Sequence, residues 1–142
     1  MNALSVAIYN QLKAGAALTA LIGGTALPNT PGGVAIFQTQ APDNQSLPYV
    51  VFSYQGGGDL NINPWRIKDL LIFVRAYSGD SGAAAGAIDT QLDALLHNKT
   101  LTVAGWKNFK TRRETDIEPV VQLPSGENAY CAGGIYRIRL SQ

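Results

Sequence analysis

Arg66-Ile67-Lys68-Asp69-Leu70-Leu71-Ile72-Phe73-Val74-Arg75-Ala76-Tyr77 is the stretch on which the fold turns. It is too long and too β-branched at its centre for a loop, and no apolar stripe recurs along it at helical spacing. It therefore predicts one long central strand. Upstream, Tyr49-Val50-Val51-Phe52-Ser53-Tyr54 is a second β-branched and aromatic run, opened by Pro48 and ended by Gly56-Gly57-Gly58. That pattern predicts a strand followed by a mobile glycine loop. Downstream, Ser78-Gly79-Asp80-Ser81 offers N-cap side chains, and Ile88, Leu92, Leu95 and Leu96 then repeat at i, i+4, i+7 and i+8. A helix is expected there, ending near Asn98.

Further out, Leu4, Ile8 and Leu12 draw one stripe along an amphipathic helix from Asn2 to about Lys13, and Ala16 to Ile22 predicts a short helical turn stopped at Gly23-Gly24. Between Leu27 and Pro48 the prolines, glycines, Asn and Gln predict irregular chain, with Val34 to Phe37 as its one strand. Toward the other end, Leu101 to Val103, Trp106 to about Arg113, and Ala129 to Leu140 each suit a strand. Strands joined mostly by adjacent hairpins, with one helix before them and one inserted after the central strand, make an α+β layer: a mostly antiparallel β-sheet with two main helices packed against it. No repeat or linker divides residues 1–142, so one domain is expected.

Composition narrows the function. A chain of 142 residues can bury roughly 68–70% of its unfolded surface. Only 15% of its residues are charged against 46% apolar, and the net charge is +1. So small a charge gives no overall field toward nucleic acid or an anionic membrane, and the low charged fraction hints at buried subunit contacts. Cys131 is alone, which excludes an internal disulfide and fits a reducing compartment, although it could pair between chains. The start of the chain has no basic leader, and no apolar run is long enough to span a membrane. The Asn-x-Ser/Thr triplets at Asn44 and Asn98 are chance matches in that setting.

No catalytic constellation assembles. Gly79-Asp80-Ser81-Gly82 resembles the surroundings of a protease nucleophile, but the only histidine, His97, follows Ser81, and a helix N-cap accounts for the serine. Asp89, Asp93 and His97 share one helix face, yet three ligands from one straight helix splay too far along the axis to close around a metal. A solvated face opposite the apolar stripe is the plainer expectation. Gly56 to Gly58 lacks the lysine and hydroxyl that follow the glycines of a phosphate loop. Trp106-Lys107-Asn108-Phe109-Lys110-Thr111-Arg112-Arg113 interleaves bases with aromatics as single-stranded nucleic-acid sites do, but Glu114, Asp116 and Glu118 follow at once and favour salt bridges.

Taken in order, the Ala-Leu-rich turn Ala16 to Ile22, Leu47-Pro48-Tyr49-Val50-Val51-Phe52, the strand ending Val74-Arg75-Ala76-Tyr77, the Ala-rich helix Ala83 to Leu96 and the closing Gly134-Ile135-Tyr136-Arg137-Ile138-Arg139-Leu140 resemble the tail terminator or tail completion family of long-tailed phages. The resemblance implies a non-enzymatic virion protein of the tail or neck, assembled in the host cytoplasm without a cofactor. It implies six copies closing into a ring that caps the head-proximal end of the tail tube and ends its polymerisation. The ring would touch the tail tube protein on one side and a neck or head completion protein on the other, with DNA passing through its lumen without sequence-specific binding. Residues Leu101 to Asn128 match the family least.

A ring needs a heterologous contact between two different patches, together with apolar surface and adaptable loops, but no active site. The candidate interface or lumen residues are Trp65, Lys107, Lys110, Arg112 and Arg113. Trp65 is either an anchor for a partner or a cap on the core. The rival readings are another neck ring, such as a head completion or connector protein, and a small nucleic-acid-binding module using those four bases.

Overall fold

The structure, a computed structural model, describes residues 2–22, 34–43, 45–61, 64–122, 126 and 128–142, the side chains of residues 120 and 121 excepted. The expected stop at Gly23-Gly24, most of the irregular stretch from Leu27, and Asn44 and Asn63 lie outside them.

The central strand forms as β3, Ile67–Ser78. Its alternation places Leu70, Ile72, Val74 and Ala76 in the core on one face and leaves Leu71, Phe73, Arg75 and Tyr77 half-buried on the other. On one side it pairs antiparallel with β2, Tyr49–Asp59. On the other it pairs along its whole length with β7, Asn128–Ser141, the last strand in sequence. β7 in turn pairs with β5, Trp106–Ile117, which carries the two-residue β4, Thr102–Val103, on its outer edge. A short β1, Ile36–Gln38, lies parallel to β2 at the opposite edge. The order is β1-β2-β3-β7-β5-β4.

Two features depart from what the sequence predicts. Gly56-Gly57-Gly58 is not a loop: β2 runs through it, paired with Leu71, Leu70 and Asp69 across a register shift after Tyr54. Gly57 sits at φ +106°, where a β-carbon would lie 2.1 Å from the Asp69 carbonyl oxygen, so glycine is required by close strand approach rather than by flexibility. The second departure is β6, Val120–Gln122, which no local pattern announced. It continues the line of β5 along β7 after a break at Glu118-Pro119, and Cys131 N donates to the Pro119 carbonyl at 3.1 Å across that break. A proline cannot donate to a ladder, which is why β5 and β6 are separate pieces.

Three helices cover one face of the sheet. The main pair are α1, Asn2–Lys13, and α3, Gly82–Leu96; α2, Ala16–Ile22, is a short turn packed against both. Leu4, Ile8 and Leu12, with Leu18 and Ile22, meet Ile88, Leu92 and Leu96 over Phe52, Ile72, Tyr136 and Ile138. Ser81 caps α3 through its hydroxyl, which accepts from Ala84 N at 3.1 Å. The serine of the protease-like tetrapeptide is thus a helix cap.

Candidate assembly surface

Alternation on β5 sorts its bases into two groups. Thr111 is fully buried beneath the helices, and Arg113 points to the same side, whereas Lys107, Phe109, Lys110, Arg112 and Glu114 are exposed. Phe109, Lys110, Arg112 and Glu114 join Arg137 and Arg139 of β7 around a groove of about 500 Å³ on the sheet face that carries no helix.

Two of the groove's arginines are held by Asp69 of β3, a largely buried carboxylate. Arg137 Nη1 donates to Asp69 Oδ1 at 2.9 Å, and Arg139 Nε donates to Asp69 Oδ2 at 3.0 Å. Arg137 also forks onto Glu114, Nε donating to Oε1 and Nη2 to Oε2, the latter at 3.1 Å. Bonds to Glu114 first and Asp69 second push the Arg137 guanidinium still further from deprotonation than usual. Asp69 thereby fixes two arginines upright, while Arg139 stays 56% exposed.

On the helix side Arg113 does something different. It forks onto Asp89 of α3 at 2.7 and 2.8 Å, donates through Nε to Asp116 at 2.7 Å, and bonds the Tyr136 hydroxyl at 3.1 Å and the Gly133 carbonyl at 2.8 Å. Asp93 Oδ1 stands 3.7 Å away. The backbone N–H of Arg113 donates to His97 Nδ1 at 3.1 Å. The side chain is 13% exposed, and the bond to Asp89 raises its already high pKa. Gly134 makes room for it, since a β-carbon there would lie 2.7 Å from Arg113 Nε.

This clamp corrects the expectation for Asp89, Asp93 and His97. Their shared helix face is not simply solvated: all three residues converge on one strand arginine, with only Asp93 keeping substantial exposure. No group of three or more His, Cys, Asp or Glu that could hold a metal occurs among the described residues.

The other predicted salt bridges form only in part. Arg113 takes Asp116, but Glu114 goes to Arg137, and Glu118 has no ion pair among the described residues. Lys107, Lys110 and Arg112 likewise have none there. Trp65 sits on the turn before β3 at 64% exposure, which rules out the core-capping alternative, and it lies outside the groove lining. Cys131 is buried beside Tyr77 and Arg75, with burial pushing its thiol pKa up, so it is not presented for pairing between chains.

Asp69, Glu114, Arg137 and Arg139 did not stand out in sequence as site residues. The signal was present: Arg137-Ile138-Arg139 puts two cations on one strand face, and Asp69 is a lone carboxylate inside an apolar strand. Only the β3–β7 register, Asp69 opposite Arg139, joins them.

The profile of the family described as "Tail completion protein gp17" matches residues 6–118. Among solved structures, a chain of the "Virion of native gene transfer agent (GTA) particle" superposes with a TM-score of 0.75, covering 99% of this chain and 96% of that one at 17% identity. This is a likeness of fold. No curated protein matches the chain.

Proposed function

The chain belongs to the tail completion protein gp17 family, and from that premise we propose that copies of it close into a ring, six in number, on the head-proximal end of a tail tube. Family membership makes it a structural protein of a phage-like tail. The finer reading is that the ring ends tube polymerisation, meets the tube protein on one face and a neck or head completion protein on the other, and lets DNA through its lumen without reading sequence. In this role residues 1–142 act as a single domain and the work is mechanical rather than catalytic.

The observation that carries the proposal is the uncovered sheet face. Helices bury one side, while the other keeps Phe73, Leu71 and Ile135 half-buried beside an organised charged groove, and Trp65 and Phe109 stand 64% and 52% exposed at the margin. A monomer gains nothing from such exposure, whereas an interface uses it as aromatic anchors and a polar rim.

Deleting the protein tests this directly. Tubes of irregular or excess length, unattached to filled heads, are expected; normal-length tails on filled heads would overturn the reading. A second reading has one observation in its favour: Lys107, Lys110 and Arg112 are cations without ion partners among the described residues. If they serve a nucleic-acid module instead, affinity for a duplex oligonucleotide falls steeply with salt and tracks those three side chains.

A further inference from the structure

We propose that charges left without an ion pair among the described residues are one half each of a copy-to-copy contact: the basic edge formed by Lys99, Lys107, Lys110 and Arg112 receives the acidic corner of a neighbouring copy, formed by Asp43 and Asp80. The inference rests on the ring reading and names the surfaces that close it.

Its basis is the way ion pairs sort. Asp59, Asp69, Asp89, Asp93, Glu114 and Asp116 are all held by arginine or lysine of the same chain. Among the described residues the carboxylates left over are Asp43, Asp80 and Glu118. The leftover cations are equally confined. Lys13 and Arg75 lie over the rings of Tyr9 and Phe73 at 5.8 and 5.0 Å. The other four cluster between residues 99 and 112, where the Lys99 carbonyl accepts from Thr111 N at 2.9 Å and so ties that loop to the outer edge of β5.

Glu118 directly follows β5 on the basic residues' own edge, whereas Asp80 lies toward the opposite corner. Lys107 pairs with Ser141, level with Ile67 at the start of β3, and Arg112 pairs with Arg137, level with Leu71, both on the β5–β4 edge. Asp80 follows Ser78 at the far end of β3, and Asp43 lies in the connection from Gln38 of β1 to Tyr49 of β2, a connection whose Leu47 lies beside Gly79. Along the strands at about 3.3 Å per residue, the far end of β3 at Ser78 is thus roughly 35 Å from the level of Lys107 and roughly 23 Å from that of Arg112. A chain with net charge +1 is therefore strongly polar along its strands. Residues of one copy cannot neutralise each other across those distances, since both exceed the screening length. A second copy placed head to tail can. A contact between two different patches, repeated by rotation, is the heterologous geometry that closes rings, and opposite charge sets its register and excludes the reversed pairing.

Charge reversal tests the contact on the full chain, with mass and ring count read by native mass spectrometry and by negative-stain images of capped tail tubes. Lys110→Glu with Arg112→Glu should weaken ring formation at least tenfold, and Asp43→Lys with Asp80→Lys should do the same. The chain carrying all four changes should recover rings, because its charges are exchanged rather than lost. Raising salt should weaken the wild-type ring. Thermal melts of each variant separate lost contact from lost folding, since all four positions are exposed and their variants should melt near wild type.

Rings that persist in both reversed pairs overturn this inference and leave the ring reading intact. It is overturned equally if the fourfold variant is folded yet stays monomeric, or if rings form normally while only duplex-DNA binding is lost, which would assign the basic edge to nucleic acid. A wild-type chain that neither forms rings nor caps tubes overturns the ring reading itself.

Discussion

Arg113 gathers bonds from α3, β5 and β7 at once, so it is the residue whose loss the fold feels most. Arg113→Ala strands Asp89 in a poorly solvated place and removes a donor from the Tyr136 hydroxyl and the Gly133 carbonyl, a change expected to cost about 3–5 kcal/mol. Arg113→Met combined with Asp89→Leu should recover much of that stability, because removing both charges leaves none buried alone. Urea denaturation of the two single variants and the pair measures the coupling. Tyr136 supplies a second prediction at this scale. Burial first, then Asp93 and Asp89, outweigh Arg113 and hold its hydroxyl well above the ordinary tyrosine value; burial likewise raises Tyr49, Tyr77 and Cys131. Groups whose folded pKa is raised contribute stability that is complete below the unfolded value and is lost as pH climbs toward the folded one. The urea midpoint should therefore fall above about pH 8.5, where thiols begin to ionise, and fall faster above about pH 10. Tyr136→Phe should flatten the upper part of that curve.

Elements were legible in sequence wherever one periodicity ruled. The stripe Leu4, Ile8, Leu12 and the repeat Ile88, Leu92, Leu96 gave α1 and α3 their bounds nearly to the residue, and β3 followed from its β-branched centre. Illegible pieces were those set by partners distant in sequence. Gly56 to Gly58 carries turn residues by local chemistry, but β3 pulls it into a strand; β6 is too short to declare itself without β7 alongside. The groove was half legible, because Lys107, Lys110 and Arg112 advertise themselves as a basic run, whereas Asp69 joins Arg137 and Arg139 only through register. Spacing groups Arg113 with its neighbours, yet strand alternation sends it to the other face. Gly57→Ala tests the tertiary origin of the bulge. Its φ and the 2.1 Å approach to Asp69 should make it far worse than Ser81→Ala, which removes one cap and costs about 1 kcal/mol. If Gly57→Ala melts like wild type, the paired geometry of that strand is wrong.

At the level of the whole molecule, stability and assembly are carried by different surfaces, and this separates their mutants. Trp65 is 64% exposed, so Trp65→Ala should leave the melting curve within about 0.5 kcal/mol of wild type. If it anchors a partner, the same change should weaken ring formation or tube capping at least tenfold, which native mass spectrometry and electron microscopy would register. Leu92→Ala should behave in the opposite way: it opens a cavity under α3 and costs about 2–5 kcal/mol while leaving the outer surface untouched.

The position of β7 between β3 and β5 governs how the protein can be made. A ribosome delivers the strands in sequence order, so β3 and β5 emerge with their inner edges open and cannot join until residues 128–141 have followed them. Those edges are templates for any other nascent chain nearby. Two half-sheets must wait for a common keystone, and the groove that unites Asp69 with Arg137 and Arg139 comes into being with that last insertion. Polypeptides cut short of it should therefore aggregate rather than poison growing particles, which confines assembly to finished copies.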